Sequence, residues 1–282
     1  MLDLCLNKIY NVFKIHNAEV IQLGKRRKCW SEERYIHDLN NGVSQGTGEN
    51  YIPGITIHDF PSKGISSRIP GRTAARVHHC LSRNEEYYFI IRDNDPNVAD
   101  IWEQFWLPLS ETLPISSDLN IRHPRHGSFP NPISTDFVIQ LRDGTIQART
   151  IKETKELSDP RILEKFAIEY AYWKKYGIDW KIVTEHEINR HLARNYQWLR
   201  AGPKPEEVIP DPIFRQEVSN LLLQLISENK FLFSAILEIV EEAMELQPGT
   251  AMTIFKHLVL TGQLALNLEK PINFMDPLAK ED

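Results

Sequence analysis

The chain is short of several things, and each shortage excludes a class of protein. Its 282 residues hold three cysteines, Cys5, Cys29 and Cys80, odd in number and widely spaced. That supplies neither a disulfide framework nor a structural zinc site, and it fits a reducing cytoplasm. No apolar run approaches the ~20 residues of a membrane-spanning helix, and the first residues do not read as a secretory signal. Leu2–Phe13 is apolar but carries Asp3, Asn7 and Lys8, so it reads as a short amphipathic helix. A Gly-rich phosphate loop, a dinucleotide-binding turn and a Gly-x-Ser-x-Gly elbow are all missing. Neither sign of charge dominates: 33 Lys and Arg stand against 38 Asp and Glu, a net charge of −5. A global field that would attract nucleic acid is therefore lacking.

What charge there is, is unevenly shared. Residues 185–282 carry 9 basic against 15 acidic side chains, which leaves 24 against 23 for residues 1–184. The first part also holds two compact basic groups, Lys25-Arg26-Arg27-Lys28 and Arg122-His123-Pro124-Arg125-His126. Binding to DNA would rest on such local patches, with Lys25, Arg26, Arg27, Lys28, Arg122 and Arg125 as the candidate contacts. The plainer reading of Lys25–Lys28 is a solvated basic turn.

The pattern divides the chain into an extension (1–28), an α/β domain (29–184) and a helical domain (185–282). Residues 40–76 are rich in Gly, Ser, Asn and Arg and read as loop with short strands such as Tyr51–Ile57. Ser82 caps a helix to about Arg92, with Glu85 at the capping-box position. Residues 98–106 read as a strand, and 114–132 as a Pro-rich loop. Ser134–Leu141 and Thr145–Lys152 flank Asp143-Gly144 as a hairpin. Ser158-Asp159-Pro160 opens a helix on which Ile162, Phe166, Tyr170 and Trp173 recur as a core stripe, and Gly177 ends it. Trp180–Thr184 is then a strand, giving a mixed sheet in a small α/β layer. Gly202-Pro203-Lys204-Pro205 and Pro210-Asp211-Pro212 mark a stiff linker. Helices follow at Ile213–Ser227, Leu232–Leu246 and Thr250–Thr261, and Gln263–Leu268 alternates as a strand. Three helices and a strand predict a winged-helix-like module, against the plainer reading of a helical bundle.

Two residues carry the chemistry. Asp136 opens the first hairpin strand and Lys152 ends the second. A carboxylate there can hold a divalent cation, and an ammonium can polarise an attacking water or a scissile phosphate. Magnesium prefers oxygen ligands and keeps several waters, so one or two carboxylates suffice. Glu85 is the natural further acid, and alternation places Thr150 on the side of Lys152. Taken singly each has a plain explanation: Glu85 as a helix cap, Asp136 as an Asx turn, Lys152 as a solvated strand end. His186…His191 misses the zinc-protease spacing by one residue. Of His78-His79, one reads as a buried polar contact and the other stays open.

A run of phrases in order makes these residues less anonymous: Tyr51-Ile52-Pro53, Arg76–Ser82, Asp100-Ile101 with Glu103-Gln104-Phe105, His123-Pro124, Ser134–Phe137, Leu163-Glu164-Lys165, Tyr172-Trp173, and Glu187-Ile188-Asn189 before Trp198-Leu199. In these the chain resembles TnsA, the endonuclease family of heteromeric cut-and-paste DNA transposases. The resemblance runs from about residue 46 to about 200, and more weakly to the end. It implies a restriction-endonuclease-like α/β domain followed by a winged-helix-like domain. It implies a Mg2+-dependent site, with Mn2+ able to substitute, at Glu85, Asp136 and Lys152. It further implies cleavage of the 5′ strands at the ends of a double-stranded transposon. The partners would be a TnsB-type transposase, and a TnsC-type AAA+ ATPase reached through the C-terminal domain. The setting would be the bacterial cytoplasm, at the nucleoid when active, and no membrane.

The family's glutamine or acid two residues before the lysine falls on Thr150. Either the metal is held by Asp136, Glu85, Thr150, the carbonyl of Ile151 and water, or a bulge brings in Gln147 or Glu153, or the homologue cuts poorly. Two other classes therefore stand beside the nuclease. One is a catalytically silent subunit that binds DNA ends; the other is a winged-helix regulator with an unrelated α/β sensor.

Overall fold

The computed structural model describes residues 31–59 and 65–272. The expected helix at Leu2–Phe13 and the basic run Lys25–Lys28 lie outside them. The described residues fall into two compact units, divided between Ile188 and Asn189.

The first unit is built on a four-stranded mixed sheet. After α1 (Glu32–Asn40), a small ribbon of β1 (Ser67–Pro70) and β2 (Val77–Cys80) leads into α2 (Arg83–Asp93). The sheet strands are β3 (Val98–Leu107), β6 (Ile133–Leu141), β7 (Ile146–Ile151) and β8 (Asp179–Val183), in spatial order β3-β6-β7-β8. Between β3 and β6 come α3 (Leu109–Asp118) and a two-residue ribbon of β4 (Arg125–His126) with β5 (Phe129–Pro130). The pairs β3–β6 and β6–β7 are antiparallel and β7–β8 is parallel. A parallel pair needs a crossover, and α4 (Pro160–Lys175) supplies it. The Asp159 side chain caps that helix, Pro160 fits its first turn, and Gly177 (φ 68°) closes it.

The hydrophobic core sits between the sheet and α4, where Phe105, Val138 and Ala148 meet Ile168, Tyr172 and Trp173. Trp173 is fully buried and its indole N–H donates to Thr135 Oγ1 at 2.8 Å. Truncating such a side chain to Ala costs about 3–5 kcal/mol. Tyr170, expected in this stripe, is instead 48% exposed. Its place on the buried face is taken by Ile168 and Glu169.

Three local expectations are corrected. Tyr51–Ile57 forms no strand; Ile52 makes only an isolated bridge to Val43, and the ribbon lies further on, at β1 and β2. The stretch read as Pro-rich loop begins inside α3, with Pro114 within the helix. As the sixth helical residue, Pro114 removes one interior i→i−4 bond, to the Ser110 carbonyl. Gln263–Leu268 makes no strand.

The second unit is helical in all its described secondary structure: α5 (Arg190–Arg200), α6 (Pro205–Val208), α7 (Pro212–Glu228), α8 (Phe233–Ala243) and α9 (Thr250–Leu260). Val218, Leu222, Ile236, Val240, Ile254 and Leu258 fill its centre around the Phe233–Phe255 ring pair, whose centroids are 4.4 Å apart. A wing is absent among the described residues, so the unit is a helical bundle there. No helix among the described residues is long and apolar enough to cross a membrane.

Candidate active site

The site lies where the antiparallel part of the sheet opens. The β6–β7 ladder runs from Gln140–Ile146 to Phe137–Arg149 and then stops. Beyond that point Asp136 replaces the missing backbone acceptor: its Oδ2 takes the N–H of Ile151 at 2.7 Å. On the other side of β6, Glu103 pairs with Phe137 and Phe105 with Thr135, which sets Gln104 against Asp136.

The faces of the sheet exchange at this position. Glu103 reaches Arg76 and His78 near β2, and Phe137 stacks on Phe89 of α2. Two residues away, Phe105 packs on Trp173 and Thr135 bonds Glu169, both on α4. A strict pleat would keep residues two apart on one face. Gln104 breaks the pleat, because its φ is +50°. Asp136 thus sits at an inflection from which it shares a partner with a residue of α2.

That residue is Glu85. Ser82 caps α2 as expected, its Oγ accepting the Glu85 N–H at 3.2 Å. The Glu85 carboxylate does not close the capping box. Its Oε2 accepts the Leu81 N–H at 2.8 Å and an N–H of Gln104 at 3.3 Å. The same Gln104 Nε2 donates to Asp136 Oδ1 at 3.1 Å. One amide nitrogen therefore bridges two buried carboxylates. Burial first, and then the Asp136 charge, push the Glu85 carboxyl up from 4.5 to about 8. Burial raises Asp136 as well, against the opposing pull of Lys165, the Ile151 N–H, Gln104 and Lys152. Two acids that resist ionising together mark a site deficient in positive charge.

Lys152 directly follows β7. Its field reaches Asp136, while its Nζ pairs with Glu156 Oε2 at 3.0 Å, with both side chains partly exposed. Thr150 goes elsewhere. Its hydroxyl donates to Glu169 Oε1, which also accepts Thr135 Oγ1 at 2.7 Å and the Trp180 indole at 3.0 Å. Thr150 is therefore not brought to the carboxylate pair, because the buried Glu169 draws its hydroxyl to the α4 layer. Gln147 lies within the regular β7 ladders, opposite Ile139 and Asp179, and Glu153 pairs with Lys155.

Sequence reasoning gave no role to Gln104 or Glu169. Each left a signal. Glu103-Gln104 is a polar pair inside Ile-Trp…Phe-Trp, and Glu169 lies three residues from Phe166 and four from Trp173, on the core stripe. Glu169 is fully buried, and its Oε2 has no hydrogen-bond partner among the described residues. His78 is the buried polar contact, 2.9 Å from Glu103; burial would raise the Glu103 pKa, but the hydrogen bonds from His78 and Arg76 bring it down to about 2. His79 Nδ1 faces the Ile57 N–H at 3.4 Å.

A separate depression of about 450 Å³ is lined by Arg122, His123, Arg125, Arg161 and Glu164. It brings the two candidate arginines of the loop beside the first turn of α4. Arg161 stands one helical turn before Lys165, whose charge is felt at Asp136.

The residues are apt for a divalent cation. Two carboxylates bridged by one amide, with pKa values that burial raises despite the fields of Lys165 and Lys152, offer hard oxygen donors. Among the described residues no group of three or more His, Cys, Asp and Glu side chains is placed to hold a metal ion, so the pair offers two protein carboxylates only.

An α/β domain with paired carboxylates and a lysine where two strands part has the make-up of a phosphodiester-cleaving enzyme. The comparisons give that class its family. Residues 95–185 match the family model described as TnsA-like endonuclease N terminal, and residues 187–268 match TnsA endonuclease C terminal. The chain is also 32% identical over 251 residues to the transposon Tn7 transposition protein TnsA of Escherichia coli, covering 88% of this chain and 90% of that protein. The chain belongs to the TnsA endonuclease family.

Proposed function

We propose that this protein is the endonuclease subunit of a DNA transposition system, cutting the 5′ strands at the transposon ends by metal-dependent hydrolysis. The observation that carries the reading is the buried Glu85–Asp136 pair, held by one amide beside Lys152. Glu85 and Asp136 would hold Mg2+ or Mn2+, with the carbonyl of Ile151 as a further donor. A bound divalent cation there supplies Lewis-acid polarisation of a phosphoryl oxygen and lowers the pKa of water. Asp136 is fixed for this by the Ile151 N–H, so its second oxygen keeps its direction. Lys152 would exchange Glu156 for the reacting phosphate or the attacking water, stabilising negative charge as it develops. Arg122, Arg125 and Arg161 would hold a backbone phosphate of the duplex and fix its register without reading sequence. Lys25, Arg26, Arg27 and Lys28 are further candidate DNA contacts.

The partners follow from the family reading. A TnsB-type transposase would cut and join the 3′ ends, and a TnsC-type AAA+ ATPase would bind the acidic second unit. The cytoplasm, at the nucleoid during transposition, is the setting this reading requires. Incubating a labelled transposon-end duplex with this protein, the two partners and Mg2+ tests it. The expected result is a nick at the 5′ strand that disappears with chelator.

One observation favours a second reading. Thr150 is engaged with Glu169, so β7 contributes no amide or acid to the pair, as a silent subunit that only binds DNA ends would tolerate. Such a subunit would bind the end duplex and support assembly, with no 5′ nick at any Mg2+ or Mn2+ concentration. The endonuclease domain match leaves the sensor-regulator reading without support.

A further inference from the structure

Gln104 is the least expected residue of the site, and its geometry is over-determined. It lies in mid-strand with a left-handed backbone, is 2% exposed, and is not glycine. Such a conformation is strained for a non-glycine residue and persists only where the surroundings enforce it. Here they do. The Gln104 carbonyl accepts the Gly54 N–H at 2.9 Å. A Cβ on Gly54 would fall 2.6 Å from that carbonyl oxygen and 2.2 Å from the Trp106 ring, so only glycine permits the approach. The side chain is as fully committed as the backbone. Both amide hydrogens go to carboxylates, one to Asp136 and one to Glu85, and Oε1 accepts the Ser134 hydroxyl at 3.2 Å.

This inference rests on the reading of Glu85 and Asp136 as metal ligands. We propose that Gln104 is a positioning residue for the metal: its amide holds the two carboxylates at a ligating separation before the cation arrives, and then turns to present Oε1 in place of its N–H groups. Two features of the network permit the turn. An amide is a donor on one side and an acceptor on the other, related by a half-rotation. Ser134 contacts it through a hydroxyl, which donates to Oε1 in one orientation and accepts from Nε2 in the other. The neutral oxygen that Thr150 does not bring from β7 is thereby available from β3.

The test is Mn2+ titration by calorimetry on the full chain, with thermal unfolding in chelator and in saturating Mn2+, for wild type, Gln104→Asn and Gln104→Glu. Asparagine tolerates the left-handed backbone but ends one methylene short of the carboxylates. It should weaken Mn2+ binding about tenfold or more in a protein that still unfolds cooperatively. Glutamate puts a third acid beside two. It should unfold earlier than wild type in chelator and gain more from Mn2+ than wild type does. A residue that serves packing alone would shift unfolding equally with and without Mn2+ and leave the affinity untouched. That result, with wild type binding normally, overturns the role of Gln104 alone. Wild type that takes up no Mn2+ overturns the metal reading itself, and this inference with it.

Discussion

Asp136 Oδ2 accepts the Ile151 N–H at 2.7 Å at the point where β6 and β7 cease to pair. A side chain there does the work of a backbone carbonyl, so the opening of the sheet leaves no buried donor stranded. Strand separation and carboxylate placement are one feature of the fold, and the behaviour of the site under perturbation follows from it.

The raised Glu85 carboxyl makes stability depend on pH. Its folded value is about 8 and its ordinary value 4.5, so between these the folded state holds a proton that the unfolded state has lost. Stability from this group falls as pH rises through that window and is lowest above it. Thermal unfolding of the metal-free protein from pH 5 to 9 should therefore show a decline that Glu85→Gln flattens. Equal slopes for the two proteins would contradict the burial of an acid pair.

Lys152→Ala should lower hydrolysis by about a thousandfold while Mn2+ binding stays within a factor of about two. Its ion pair with Glu156 is partly exposed, so the loss of stability should be no more than about 1 kcal/mol. Cleavage kinetics and calorimetry on one preparation separate these effects.

Thr150→Val probes the hydroxyl that Glu169 holds. If Thr150 is outside the metal's reach, Mn2+ affinity is unchanged and the variant is destabilised by about 1–3 kcal/mol through the lost bond to a buried carboxylate. Denaturant unfolding and metal titration give the two numbers. A large fall in affinity would return Thr150 to the ligand set.

Alanine at Arg122, Arg125 or Arg161 should weaken DNA binding for any sequence. The slope of log affinity against log salt should become shallower by about one for each phosphate no longer neutralised. Anisotropy titrations at several salt concentrations, with Ca2+ replacing Mg2+, measure it. An unchanged slope would remove the arginine depression from the DNA path.

Much of this was legible in the residues because it is local. The Ser82 cap, the Asp143-Gly144 turn and the Asp159-Pro160 start announce α2, the hairpin and α4, since each fixes its neighbours through bonds a few residues long. Asp136, Lys152 and Glu85 were identifiable as chemically apt residues at element ends and through family phrases. What could not be read is tertiary. Alternation assigns faces along a strand, and at Gln104 a single left-handed residue, pinned by Gly54 from fifty positions earlier, exchanges them. Thr150 is placed by a second non-local contact, its hydroxyl bonding Glu169 on the crossover helix. The strand expected at Gln263–Leu268 did not form because period-two alternation over six residues is weak support for a strand when no partner strand is at hand among the described residues.

The most direct test of the account is Asp136→Asn in the transposon-end cleavage reaction with both partners present. The isosteric amide can keep the bond to Ile151 through its oxygen, so the protein should fold and bind DNA. The account predicts that Mn2+ affinity and 5′-strand nicking both fall, the latter by about a thousandfold or more. Nicking at the wild-type rate by the folded variant would contradict it.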